Sequence, residues 1–328
     1  MKKFLLLVVA VILTMAFATS AFSKPKAGMI LIRDEPQYWN VQFPEMLTMK
    51  VDAMKFHLSY DNQWNGGWPQ YYVIPAVHVQ GAIDAGAKTI IFRSPATKIT
   101  PNEISHFIAG MRFWDTNERI VDFIYNRRYQ GIEFWIEVGN EPDLHGADPW
   151  VHRYWLIETA KTVKPQWAWL WPMKWMASMP TKQGNAQYPG VNYSNVIYTN
   201  NSEGWVPNLY DGLGTHAYGF WTLYANDGNQ PMWETFYALN NSPSTKPVFI
   251  TEAMINNGSL SWNEKGIRCK SAFQSYAQSH PRIKGWFYFA LSQEIYWNTN
   301  PLFYGIDLYN NTTNPIPERP FATQMSTR

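Results

Sequence analysis

The chain has 328 residues, 46% of them hydrophobic and 16% charged, a balance that excludes a disordered polymer and allows one large core. Its formal charge of +2 disfavours nucleic acid as a partner. The single cysteine, Cys269, excludes an internal disulfide and reads as a small buried hydrophobe in a helix.

The first element is a leader. Met1-Lys2-Lys3 forms a basic start, Phe4 to Phe17 an apolar run, and Ala16-Phe17-Ala18 or Thr19-Ser20-Ala21 a small-residue cleavage site. The apolar run is short for a bilayer core of roughly 30 Å. Residues 1–21 are therefore expected to be a secretory signal, with 22–328 a single domain that is secreted or periplasmic. No membrane anchor is expected after signal removal. Losing Lys2 and Lys3 from the 27 basic residues leaves 25, against 25 acidic ones.

Eight β-rich runs follow, alternating with amphipathic stretches: Gly28–Arg33, Ala53–Ser59, Lys88–Arg93, Ile132–Val138, Trp167–Trp171, Gly212–His216, Val248–Thr251 and Gly285–Leu291. Several are almost continuously apolar, as strands of a parallel sheet covered on both faces must be. Helices are expected at Ala76–Ala85 before Gly86, at Glu118–Tyr129 before Gly131, and from Asp148-Pro149 to about Thr162. Two more are expected at Met232–Leu239 and Glu264–Ser279, whereas Gln183–Pro207 reads as loop. The alternation and the length predict an α/β fold, a (β/α)8 TIM barrel.

In such a barrel, chemistry sits at the C-terminal ends of the strands. The fourth run ends Glu137-Val138-Gly139-Asn140-Glu141-Pro142, and the seventh ends Phe249-Ile250-Thr251-Glu252. Two strand-end glutamates facing each other at about 5–5.5 Å could act on a glycosidic bond, one protonated as acid and one ionised as nucleophile. The 17 Trp, 19 Tyr and 18 Phe supply amphipathic rings able to cover a sugar face.

These motifs resemble the clan A retaining glycoside hydrolases, with an Asn-Glu pair after the fourth strand and a glutamate after the seventh. The resemblance implies Glu141 as acid/base, Glu252 as nucleophile, and Asn140 as a donor to the sugar 2-hydroxyl. His216-Ala217-Tyr218 is similar to the clan's His-x-Tyr, which implies His216 near the carboxylates and Tyr218 donating to Glu252. Arg93 resembles a clan arginine beside the nucleophile, with an ion pair to Glu137 as its alternative. The clan's tryptophan near the end of the eighth strand has no direct counterpart. Phe289 stands at that place, and Trp286 or Trp297 could take its role.

Other candidate sugar platforms are Trp64, Trp68, Trp150, Trp175, Trp205 and Trp221. The implied partner is a carbohydrate, with no cofactor and no metal, since His145 and His152 show no ligand spacing. A binding-only barrel and a transglycosylase stay open as alternatives. Within the clan, families 5, 39 and 79 all share features with the chain.

Overall fold

A computed structural model describes residues 26–31, 52–57, 72–73, 76–94, 100–113, 115–143, 146–171, 173–180, 192–218, 233–254, 261–278 and 280–288. The expected leader lies outside them. Among the described residues no helix is long and apolar enough to cross a membrane.

The strands are β1 (Lys26–Leu31), β2 (Ala53–His57), β3 (Tyr72–Val73), β4 (Thr89–Arg93), β5 (Arg112–Phe113), β6 (Glu133–Val138), β7 (Met173–Ser178), β8 (Gly212–Tyr218), β9 (Val248–Met254) and β10 (Ile283–Tyr288). Eight of them close into a barrel in the order β1-β10-β9-β8-β7-β6-β4-β2, every neighbour pair parallel. The short β3 and β5 pair apart from it. The expected (β/α)8 fold is the fold observed.

The helices are α1 (Ala76–Asp84), α2 (Pro101–Gly110), α3 (Ile120–Asn126), α4 (Pro149–Glu158), α5 (Tyr193–Tyr198), α6 (Val206–Leu209), α7 (Trp233–Asn240) and α8 (Trp262–Ala272). Local chemistry sets their ends. Asp148 caps α4 by accepting from the amides of Trp150 and Val151, and Ser261 with Glu264 forms a reciprocal box at α8. Thr100 caps α2 through the Glu103 amide, a helix the hydrophobic pattern did not reveal. The stretch expected to be loop contains α5, capped by Asn192, and the start of α6.

The fifth strand is not where its aromatic pattern puts it. Trp167–Trp171 is no strand: α4 continues through a wide turn at Thr159–Val163 into a tight turn at Lys164–Trp167. Trp169 and Trp171 are 54% and 61% exposed, which a barrel strand covered on its outer face would not allow. They lean instead on Tyr125 and Tyr129, with ring centroids 6.0 and 6.2 Å apart. The strand is Met173–Ser178, whose Met, Lys and Ala carry little β preference.

Two apolar layers hold the barrel. A large outer core joins the strands to the helices, and a small inner cluster of Ala53, Ile91, Trp135, Met176, Phe249 and Phe287 fills the barrel itself. Cys269 is fully buried in the outer layer, where burial pushes its thiol pKa up and keeps it inert. Above the inner cluster, toward the C-terminal ends of the strands, the filling turns polar.

Candidate active site

The polar layer begins with Lys55 of β2, Glu137 of β6 and Thr251 of β9, all fully buried. Lys55 Nζ lies 2.8 Å from Glu137 Oε2 and 3.1 Å from Glu252 Oε1. Thr251 Oγ1 donates to Glu137 Oε1 at 2.8 Å. The glutamate has room because position 214 has no side chain: a Cβ there would stand 2.6 Å from Glu137 Oε1 and 3.0 Å from Met176 Sδ.

Consecutive residues of a regular strand point to opposite faces, yet Thr251 and Glu252 both reach the barrel interior. A bulge explains this. The register against β8 jumps from Thr215↔Ile250 to His216↔Glu252, and the register against β10 slips across the same stretch. One extra residue in β9 turns Glu252 inward, a common use of bulges beside reactive groups.

Glu141 arrives by another route. After β6 the chain turns sharply, with φ +84° at Gly139 and φ +45° at Glu141. The turn is tied to β4, since Ser94 N donates to Glu137 O at 2.8 Å and Gly139 N donates to Ser94 Oγ at 2.7 Å. A glutamate in the left-handed region costs about 1–2 kcal/mol, and such strain is often held where a side chain must be aimed.

The two carboxylates meet at His216. Its Nδ1 is 2.8 Å from Glu141 Oε1, and its Nε2 is 3.7 Å from Glu252 Oε1. Glu141, His216 and Glu252 each bring one oxygen or nitrogen within 4.8 Å of the other two. Glu252 is almost completely buried, whereas the Glu141 side chain is 19% exposed. Burial opposes charge on His216, but Glu252 and the hydrogen bond with Glu141 outweigh it and raise its pKa.

Three ligand-type groups so close could also hold a cation. Lys55 and Arg93 already bring positive charge to Glu252 at 3.1 and 3.9 Å, so a metal there would face two resident cations. The arrangement suits proton transfer and nucleophilic attack better than ligation.

The remaining expected residues divide. Arg93 approaches Glu252 with NH1 at 3.9 Å; the alternative pairing with Glu137 is not formed, because Lys55 occupies that carboxylate. Asn140 is buried beside Glu141, its Oδ1 without a hydrogen-bond partner among the described residues. Tyr218 ends β8 opposite Met254, and its side chain lies outside the described residues. So do Phe289, Trp297, Trp64, Trp68 and Trp221.

Two of the tryptophans pack in the outer core. Trp286 is fully buried against Phe273 in the outer core, ring centroids 6.3 Å apart, because its neighbour Phe287 takes the inward face of β10. Trp175 packs in the same outer layer, since Met176 is the inward residue of β7. Trp150 is 56% exposed in the first turn of α4, the helix that follows the Glu141 turn. Trp205 is partly buried ahead of α6.

Lys55 is the residue that sequence reasoning missed. A lysine within Ala-Met-Lys-Phe-His, a strand of an all-parallel sheet, was the available signal, because every face of such a strand is covered.

No protein-family model matches the sequence, and no curated protein matches it as a relative. Among solved structures the fold is similar to a family 39 glycoside hydrolase from Bacteroides cellulosilyticus WH2, with TM-score 0.60 and 15% identity over 93% of this chain. The match spans 64% of that enzyme's length. A β-mannanase from Thermomonospora fusca matches at TM-score 0.53 and 13% identity, covering 93% of this chain and 91% of that one. A family 51 α-L-arabinofuranosidase from Bifidobacterium longum matches at TM-score 0.53 and 11% identity, covering 83% and 68%. The chain therefore has the barrel fold of the clan A glycoside hydrolases its motifs resemble.

Proposed function

We propose that the protein is a retaining β-glycoside hydrolase that acts on a β-linked poly- or oligosaccharide through a covalent glycosyl-enzyme. The observation that carries this reading is the approach of Glu141 and Glu252, with oxygens within 4.8 Å. Retaining enzymes hold their carboxyl groups about 5–5.5 Å apart, and inverting enzymes about 6.5–9.5 Å to admit a water.

In the first step a Glu252 oxygen attacks the anomeric carbon while Glu141 gives its proton to the departing glycosidic oxygen. The bond to the leaving sugar breaks as the ester to Glu252 forms. In the second step Glu141 takes a proton from water, the oxygen attacks the same carbon, and Glu252 leaves as a carboxylate. The unequal exposure of the pair suits this division, since the partly open Glu141 must meet both leaving group and water. Asn140, whose buried Oδ1 has no hydrogen-bond partner among the described residues, suits a contact to a sugar hydroxyl.

A binding-only barrel would gain nothing from a buried carboxylate compensated by Lys55 and Arg93, or from a bulge that re-aims it. The expected leader would export the enzyme to polymeric substrate outside the cytoplasm.

The test is turnover by the purified protein on a panel of β-linked polysaccharides and aryl β-glycosides. Glu252→Ala should lose turnover on aryl glycosides, and azide should restore it with the glycosyl azide inverted at the anomeric carbon. Absence of activity across the panel, or a Glu252→Ala enzyme with near-normal rates, would defeat the proposal.

A further inference from the structure

Lys55 lies beneath the carboxylate pair and belongs to neither catalytic step. Its ammonium is fully buried and bridges two carboxylates, Glu137 Oε2 at 2.8 Å and Glu252 Oε1 at 3.1 Å. We infer that Lys55 is a positioning residue that fixes one oxygen of Glu252, and that Glu137 is the counter-charge keeping Lys55 in place through the catalytic cycle. The inference rests on the proposed hydrolysis and adds to it the group that orients the nucleophile.

The physical argument is one of charge. A buried ammonium is costly unless its partners stay charged. When Glu252 forms an ester with the sugar it loses its charge, and Lys55 would be stranded if Glu252 were its only partner. Glu137 takes no part in bond making, so the Lys55–Glu137 pair outlasts the covalent intermediate. Thr251 Oγ1, 2.8 Å from the other Glu137 oxygen, anchors that carboxylate, and the bare position 214 leaves it space.

Two other charged groups among the described residues stand farther from Glu252. Arg93 of β4 stands at 3.9 Å, His216 of β8 at 3.7 Å and shared with Glu141. Lys55 makes the shortest of these contacts and is the one that is a hydrogen bond. It approaches from within the barrel, on the side of the inner apolar cluster.

The test uses Lys55→Met, and Lys55→Met/Glu137→Gln in case the single variant, which strands Glu137, fails to fold. Either should lower kcat on an aryl glycoside about 100-fold, the effect of a nucleophile set slightly out of place, with KM changed far less. In Lys55→Met the acid limb of kcat/KM should also move up, because a cation beside Glu252 is gone while the Glu137 carboxylate stays. The double variant, which loses one charge of each sign, should move it less.

The deciding comparison places the same substitutions in Glu252→Ala and measures the azide-rescued rate. A residue that acts through Glu252 has nothing left to position there, so the rescued rate should stay within about threefold of Glu252→Ala alone. Equal losses in both backgrounds would mean that Lys55 only supports the fold, and no loss in either would mean that it orients nothing. Failure of the wild-type enzyme on every glycoside would remove the hydrolase reading, and this inference with it.

Discussion

His216 holds Glu141 by a 2.8 Å contact from Nδ1 while turning its other nitrogen toward Glu252. The imidazole is buried, yet its pKa is raised: burial works against the charge, and the two carboxylates overcome it. Folding therefore favours the protonated ring. A group with a raised folded-state pKa contributes stability that is fully present below its unfolded value, about 6.5, and lost as pH rises through the folded one. Wild type should exceed His216→Asn in unfolding free energy by more at pH 5.5 than at pH 9, as measured by urea denaturation at both values. A gap that widened with pH would contradict the pairing.

Glu141 stores strain for its position. At φ +45° its backbone lies where Asn and Gly are tolerated better. Glu141→Asn is expected to stay within about 1–2 kcal/mol of wild type in stability, because the backbone strain it relieves offsets most of the lost His216 contact. Its activity should divide by leaving group. Hydrolysis of unactivated glycosides should fall about 10²–10⁴-fold, the usual worth of a general acid, while aryl glycosides with acidic phenols lose much less in their first step. Thermal melts beside kinetics on a phenol series check both halves.

Much of this was open to reading from the sequence. Glu141 and Glu252 each follow an apolar run, so topology alone set them at one end of the barrel. His216 and Arg93 were legible only through the resemblance to the clan, whose motifs imply a histidine after the sixth strand and an arginine after the third. The inward turn of Glu252 was not, because a bulge between Ile250 and Glu252 leaves no mark in composition. Lys55 was legible in part: a lysine in a strand covered on both faces marks a buried charge, but alternation along Ala53–His57 does not say which face meets the barrel axis. The fifth strand was misplaced because Trp-Ala-Trp-Leu-Trp carries a period of two on a turn, while Met-Lys-Trp-Met-Ala-Ser carries little β signal on a strand.

Position 214 should tolerate no enlargement. A methyl group would press on Glu137 Oε1 at 2.6 Å, Met176 Sδ at 3.0 Å and Thr251 Oγ1 at 3.2 Å, all within the packed barrel. Gly214→Ala is expected to cost about 1–3 kcal/mol, the usual penalty of overpacking. Because the nearest contact is Glu137, the strain should reach Lys55 and Glu252 and lower kcat as well. Chemical denaturation read beside aryl-glycoside kinetics would detect both. A variant as stable and as active as wild type would mean that Glu137 moves aside freely.

Trp286 and Trp175 offer the sharpest contrast between packing and recognition. Each is a tryptophan in a barrel strand, and each could serve a sugar if its ring faced the mouth. Trp286 instead meets Phe273, and both tryptophans lie in the outer core at 0% and 2% exposure. Truncating either to alanine should cost about 3–5 kcal/mol of stability, as expected when a large buried ring is removed. The signature is a lower unfolding midpoint with KM for an oligosaccharide little changed in whatever fraction stays folded. Trp286→Phe should recover most of the midpoint, because the ring contact with Phe273 can be remade. A variant that kept its midpoint but bound oligosaccharide much more weakly would place the ring in the binding cleft, against the burial seen here.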